Sequence, residues 1–560
     1  MQMNVRRIVF LYFATLLSMG LFHLATTPVF EGFDEPWHYS AIRQIAYLGK
    51  ITMREESYVD QFVLDYQGPL PYDSGSPPFD RSIPPFDRGT AYGKFVRDRK
   101  LIDSYMAQYR ESVPPAFFAS SAEPNNLYRQ HPALYYVLMA PVLRLVDGTP
   151  LVTQIFILRL ASYLLALSGV VLGILAIGKR ERSDPGEQGF PLLLGFLIYP
   201  YLSPMFFPEF ARVGSDSLCL FLVGLLAYLF SKWRASDGDL KSSLSIGMVL
   251  GIGLLTKAFF IPIAAAVFMY VLMPAFGARA FNEDPVKRIR AIAGIFLPAV
   301  IIGGGWYVYN YLEYGSFSGS NLGIWLAQRG GLLANLGGTF SLAVFVRGLA
   351  TAVVTYLWGG TQSLAHLPYL TYAPLLAALG CIVVAFCLRL RKVPLADPLW
   401  LSMWLAAFFA LGIGGHAVSN MAMGGNGNTP GWYFHILTPF LAPAIGVGVY
   451  SLFRNSKSKR VFFGFVAYAA IFHCIAIWFQ LALFSGCAVK GGDKHYLFQS
   501  NYLCLDNAAM VVDGISLFGY PVLAGLGFCC WVVASILLFV ELRRIRQFEL
   551  RESGQVSTGC

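Results

Sequence analysis

Charge is what this chain has least of. Only 13% of its 560 residues are Asp, Glu, Lys or Arg, against roughly a quarter in soluble domains. That excludes an ordinary water-soluble enzyme, and the 56% of residues that are hydrophobic need a bilayer as solvent. Other chemistry is missing too. No C-x-x-C or H-E-x-x-H arrangement suggests zinc, no Rossmann-type nucleotide site is evident, and no inverted repeat of the transporter kind is visible. The one duplication is short, PPFDRS at 77 to 82 and PPFDRG at 84 to 89, and has no metal or phosphate spacing. The net charge of +10 sits in short basic clusters between apolar runs. Those clusters are topology signals, not a nucleic-acid surface.

Twelve apolar runs can be counted, at 8–26, 151–177, 189–208, 213–231, 243–257, 258–275, 290–309, 371–388, 398–416, 432–453, 461–484 and 514–540. The first follows Arg6 and Arg7, so it starts inside and surfaces outside. It is long for a signal-peptide core, no A-x-A site precedes Asp34, and it reads as a retained span. With twelve spans, the clusters KRER (179–182), KWR (232–234) with Lys241, KRIR (287–290), RLRK (389–392), RNSKSKR (454–460) and RRIRQFELR (543–551) all fall on the cytoplasmic side. Residues 243–275 resemble one long helix, but basic groups at both ends demand a hairpin with Lys257 near its outer tip. Two further stretches, 132–147 with Arg144 and 341–358 with Arg347, are laid along the outer face as interfacial or re-entrant helices.

The expected architecture is an all-α polytopic membrane protein whose outer face collects the unusual sequence. That face receives a first loop of about 105 residues (27–131), Asp216, the Lys257 tip, 310–370, 417–431 and 485–513. The division expected is a catalytic membrane region 1–441, C-terminal helices 442–540 and a cytoplasmic tail 541–560. Cys219, Cys381, Cys387, Cys474, Cys529 and Cys530 fall in or at the ends of helices and Cys560 ends the tail. Cys487 and Cys504 share the last outer loop, where an oxidising compartment permits a disulfide.

The chemistry is concentrated at FDEPWHY, residues 33 to 39, which puts Asp34 and Glu35 where the first span surfaces. Ionisable groups at a membrane edge are functional candidates, and a carboxylate can take the proton of a sugar hydroxyl. Each also has a structural alternative, since Asp34 and Glu35 precede Pro36 and a helix-like segment that they could cap.

FDEPWHY is followed in order by YRQHPALYYVL (128–138), RVGSDSL (212–218), LLTKAFF (254–260), GWYVYNYLEYGSFSG (305–319) and PGWYFHILTPFL (430–441). This order resembles the GT-C superfamily of integral-membrane glycosyltransferases, in particular the branch with protein mannosyltransferases and lipid A aminoarabinose transferases. The resemblance implies a GT-C-like bundle using a polyprenyl-phosphate sugar donor and a glycan, lipid or protein acceptor at the extracytoplasmic face of the bacterial inner membrane. Transfer would proceed with inversion. It makes Asp34 the candidate base, Glu35 a helper or orienting group, and Asp216 the second acidic position, which an N-cap role would also explain. Lys257 and Arg212 are candidate phosphate contacts, with snorkelling and interfacial anchoring as the alternatives. Arg129 and His131 could bind donor phosphate or acceptor, although Ala133 stands where relatives have a second proline. Where relatives carry an Arg-Tyr pair this chain has Trp432 and Tyr433, so a bidentate donor is lost and Trp432 could instead stack on sugar or lipid. His435 could compensate, and His366 is a weaker candidate of the same kind. No cofactor is required; Asp34, Glu35 and Asp216 could hold a divalent cation without a spacing that demands one. The competing readings are a flippase for lipid-linked glycans and an oligosaccharide polymerase or ligase.

Overall fold

The computed structural model describes residues 2–49, 51, 58–72, 92–114, 130–183, 189–272, 285–394, 397–453, 459–488 and 503–556. Among these every extended element of regular structure is a helix, and strand-like geometry is confined to isolated bridges such as that between Ser112 and Pro150. Nine of the described helices are long and apolar enough to cross a membrane. The chain is an all-α polytopic membrane protein. Three of the twelve expected spans are shorter: Gly189–Leu202, Leu240–Leu254 and Phe260–Leu272, with 14, 15 and 13 described residues. A straight crossing takes about 20. The first of these stops early because the chain turns at Ser203 and Pro204 into the short helix Phe206–Phe210. The other two flank a break at 255–259 that carries Lys257, as the charge pattern required. The two stretches set aside as non-crossing form helices Leu134–Leu145 and Leu342–Leu357, of 12 and 16 residues.

Small residues set how closely these helices approach. At the crossing of Leu151–Ser183 with Asp216–Ala235, a methyl on Gly224 would lie 2.1 Å from the carbonyl oxygen of Gly169. Backbone contact of this kind is the usual packing solution where lipid removes the hydrophobic drive between helices. The last helix, Pro521–Val556, runs along the first, Gln2–Thr26, and the pair is tied by Arg7 to Glu541 at 3.0 Å and Tyr520 N–H to the Ala25 carbonyl at 2.9 Å.

Beyond the first helix, Glu35–Leu48 packs against Leu134–Leu145, with His38 Nδ1 3.1 Å from the Tyr136 hydroxyl. Arg43, fully buried, fastens the following loop through Asp60 at 2.8 Å and the Pro114 carbonyl at 2.8 Å. Cys487 and Cys504 are joined by a disulfide with Cα atoms 6.1 Å apart. The PPFDR duplication, Arg129 and Cys560 lie outside the described residues.

Candidate functional site

Four segments far apart in sequence meet at one end of the bundle: the exit of the first helix (27–35), the link 203–216, the break at 255–259 and the turn Trp432–Leu437. What pins the first two together is Glu35. Its carboxylate is fully buried and takes Arg159 Nε at 2.7 Å on one oxygen and Nη2 at 2.6 Å on the other. Two further guanidinium hydrogens reach the carbonyls of Thr27 and Pro28, and Glu35 also accepts the Val213 N–H at 3.0 Å. Arg159 thus spends its donors on the first-helix exit from its place in Leu151–Ser183. An ion pair this dry holds only because nearly every lone pair and hydrogen is matched.

Val213 leads directly to a second buried cluster. Arg212 donates to the Phe33 carbonyl at 2.9 Å, to Glu209 at 2.7 and 3.3 Å, and to Asp216 at 2.8 Å. Lys257 completes it, its ammonium 2.9 and 3.0 Å from the two Asp216 oxygens and over the rings of Phe259 and Tyr433 at 4.3 and 4.9 Å. Burial pushes the Glu209 carboxyl up to about 8 against the pull of Arg212, with Asp216 adding to the rise. Two carboxylates sharing one guanidinium resist full ionisation. The rise favours the neutral form of Glu209 and so shifts the balance of charge in the cluster toward Arg212 and Lys257. His131 lies within its field: burial holds the imidazole down at about 3, Lys257 lowers it further and Asp216 works the other way. It is a neutral group at physiological pH.

Asp34 sits at the edge of this cluster and is partly exposed. It precedes the helix Glu35–Leu48 in a left-handed conformation, φ 60° and ψ 15°, and its side chain makes no capping hydrogen bond there. The helix-cap alternative is therefore not realised by its carboxylate. Beside it Phe33 stacks on Trp432, ring centroids 4.0 Å apart and planes 17° from parallel. One face of Trp432 is occupied in this way.

The structure thus brings together Asp34, Arg212, Asp216, Lys257, His131, Trp432 and Tyr433. Glu35 is adjacent and both its oxygens accept from Arg159, an arrangement that fits the orienting half of its expected role and leaves no free oxygen for sharing the work of the base. His435 lies elsewhere, bonded to the Tyr199 hydroxyl at 2.9 Å and near the Tyr356 carbonyl at 3.0 Å, so it does not replace the missing guanidinium. Among the described residues no three His, Cys, Asp or Glu side chains converge as metal ligands. Sequence reasoning missed Arg159, Glu209 and Glu31. The first was detectable, because a lone arginine inside an apolar run is a flag in itself.

No family model matches the chain, and no curated protein does. Two solved structures resemble it. ArnT from Cupriavidus metallidurans in the apo state is 13% identical, with 79% of this chain and 71% of that one covered at a TM-score of 0.38. ArnT from the same organism bound to undecaprenyl phosphate is 11% identical, with 89% and 77% covered at 0.40. At these identities neither transfers a residue role to this chain.

Proposed function

We propose that this chain transfers a sugar from a polyprenyl-phosphate donor to the hydroxyl of an acceptor at the extracytoplasmic face of the membrane. The observation that carries the reading is the meeting of one partly exposed carboxylate, Asp34, with the buried cations Arg212 and Lys257 at one end of a bundle of membrane-length helices. The six ordered motifs that resemble GT-C enzymes support the same assignment.

In this reading the acceptor oxygen attacks the anomeric carbon while Asp34 takes its proton. The bond from that carbon to the phosphate oxygen breaks, its electron pair stays on the phosphate, and polyprenyl phosphate leaves with the extra charge. Lys257 and Arg212 stabilise that charge, held in advance by Asp216 and Glu209 so that little reorganisation is needed at the moment of reaction. His131 and Tyr433 border the same space and would contact donor or acceptor. Trp432 is buried against Phe33 and Tyr433 beside Asp34, so its part would be to wall the site, and contact with a sugar ring would need that ring to enter beside it. Double displacement needs a second carboxylate as nucleophile; Glu35 and Asp216 are held in ion pairs, and Glu209, raised by burial, is hydrogen-bonded to Arg212. These contacts support reading the transfer as a single displacement with inversion.

The test is purified protein with a labelled polyprenyl-phosphate sugar and envelope acceptors. Transfer of label supports the reading, whereas unchanged donor crossing vesicle membranes supports a flippase instead. Asp34→Asn is expected to fold and to lose turnover about a hundredfold or more. Lys257→Met should fold with weakened donor affinity and slower turnover, and wild-type kinetics in either folded variant overturns the role assigned to that residue.

A further inference from the structure

Glu31 lies outside FDEPWHY and outside the reaction as proposed, yet three donors converge on its carboxylate. It is fully buried. One carboxylate oxygen accepts the Thr361 hydroxyl at 2.8 Å and the Ser363 N–H at 2.9 Å, and the other accepts the Tyr92 hydroxyl at 2.7 Å. Its own carbonyl accepts the Gln362 N–H at 2.9 Å. Three consecutive residues, Thr361 to Ser363, are thereby strapped to the exit of the first helix. The strapped loop is itself fixed: Trp358 Nε1 donates to the Ala365 carbonyl at 2.8 Å, and the Tyr372 hydroxyl donates to the Trp358 carbonyl at 3.1 Å.

The middle residue of the strap points back at the candidate base. Gln362 Oε1 accepts the backbone N–H of Asp34 at 3.3 Å. That contact falls on the residue that needs holding, because Asp34 is a non-glycine residue at φ 60°, a conformation that costs about 1–2 kcal/mol for an L-residue and persists only where the surroundings enforce it. Gly32, on the same turn, has no room for a side chain, since a methyl there would lie 2.8 Å from both Arg212 and Glu35.

We propose that Glu31 and Gln362 are positioning residues: Glu31 locks the 361–363 loop, and Gln362 uses that fixed loop to hold the Asp34 backbone so that its carboxylate faces the acceptor. The proposal rests on Asp34 being the base. A buried carboxylate suits the locking role because an apolar side chain there would leave the Thr361 and Tyr92 hydroxyls and the Ser363 N–H without acceptors. Burial lifts the Glu31 carboxyl to about 7 despite those three donors.

The experiment uses the full chain in detergent or nanodiscs, with folding followed by size exclusion and thermal unfolding. Gln362→Met removes the acceptor and keeps the bulk. Expected is a folded protein with kcat reduced about tenfold and the donor KM within about twofold of wild type, a split that a general structural role would not produce. Gln362→Asn, which withdraws the acceptor by one methylene, serves if the methionine variant does not fold, with the same expectation. Glu31→Leu should lower kcat comparably, and Glu31→Gln, which keeps an acceptor for Thr361 and Ser363, should recover most of that loss. Asp34→Asn is run alongside. If Asp34→Asn is inactive while a folded Gln362 variant keeps wild-type kcat, or shows only a raised KM, the positioning role is overturned and the proposed function stands. If Asp34→Asn itself retains turnover, the assignment of the base fails and the positioning role falls with it.

Discussion

Asp34 and Glu35 are neighbours in the chain with opposite fates. One is partly exposed beside Arg212 and its cluster; the other is sealed with Arg159 beneath the helix that starts there. Burial decides what each can do. A carboxylate that must accept a proton from an acceptor needs an oxygen facing open space, and Glu35 has none to offer. Its partner is correspondingly indispensable to the fold. Arg159→Met would leave the Glu35 charge buried without compensation, at a cost of about 3–5 kcal/mol. The expected result is a large drop in thermal stability, with the double variant Arg159→Met/Glu35→Met recovering much of it. Equal melting temperatures for Arg159→Met and wild type would contradict the ion pair as described.

Among the helices, Asp216–Ala235 does the most positioning, because Asp216 stands at its first turn and receives both Arg212 and Lys257. Where that helix sits is set by its crossing with Leu151–Ser183, at which Gly224 and Gly169 touch backbone to backbone. Gly224→Val would drive the two apart, and overpacking of this kind typically costs about 1–3 kcal/mol. Lower thermal stability together with reduced transfer is expected, since the displaced helix carries Asp216 with it. Gly305→Ala, on the helix Pro285–Tyr314, is the matched control, because a methyl there meets nothing within 4 Å. A Gly224→Val protein as stable and active as the control would show that the crossing tolerates separation.

For the molecule as a whole, sidedness is the property that the chemistry depends on. The two ends of Asp216–Ala235 are about 30 Å apart at 1.5 Å per residue. Asp216 stands at one end, and Lys232 and Arg234 stand in the last turn at the other. Basic residues beside short loops mark the cytoplasmic side, whereas those in a long loop are translocated regardless of charge. Lys94, Arg97, Arg99 and Lys100, in the long first loop, are therefore expected outside despite their sign. With the accessible native cysteines replaced, a membrane-impermeant thiol reagent applied to intact cells should modify Lys100→Cys and spare Ser236→Cys. The reverse labelling would place the candidate site in the cytoplasm and overturn the proposed donor geometry.

Local features were legible before any fold was known. Hydropathy and the spacing of basic clusters established an all-helical membrane chain, the exit of its first helix at Asp34, and a break at Lys257 inside an otherwise continuous apolar stretch. The Arg212–Asp216 contact is short in sequence, but it depends on the bend before the helix that begins at Asp216, which no periodicity announces. Long-range pairings came only with the packed bundle. The partner of Glu35 is 124 residues away, that of Lys257 is 41 away, and the glutamine that holds Asp34 is 328 away. Apolar periodicity carries no information on such distances. It also carried the spans at 189–208 and 243–257 past the helix ends at Leu202 and Leu254, because hydropathy continues through residues whose backbone has already turned. Which carboxylate remains available for chemistry depends on which cations the bundle buries beside it, and desolvation makes that choice only once the helices are in place.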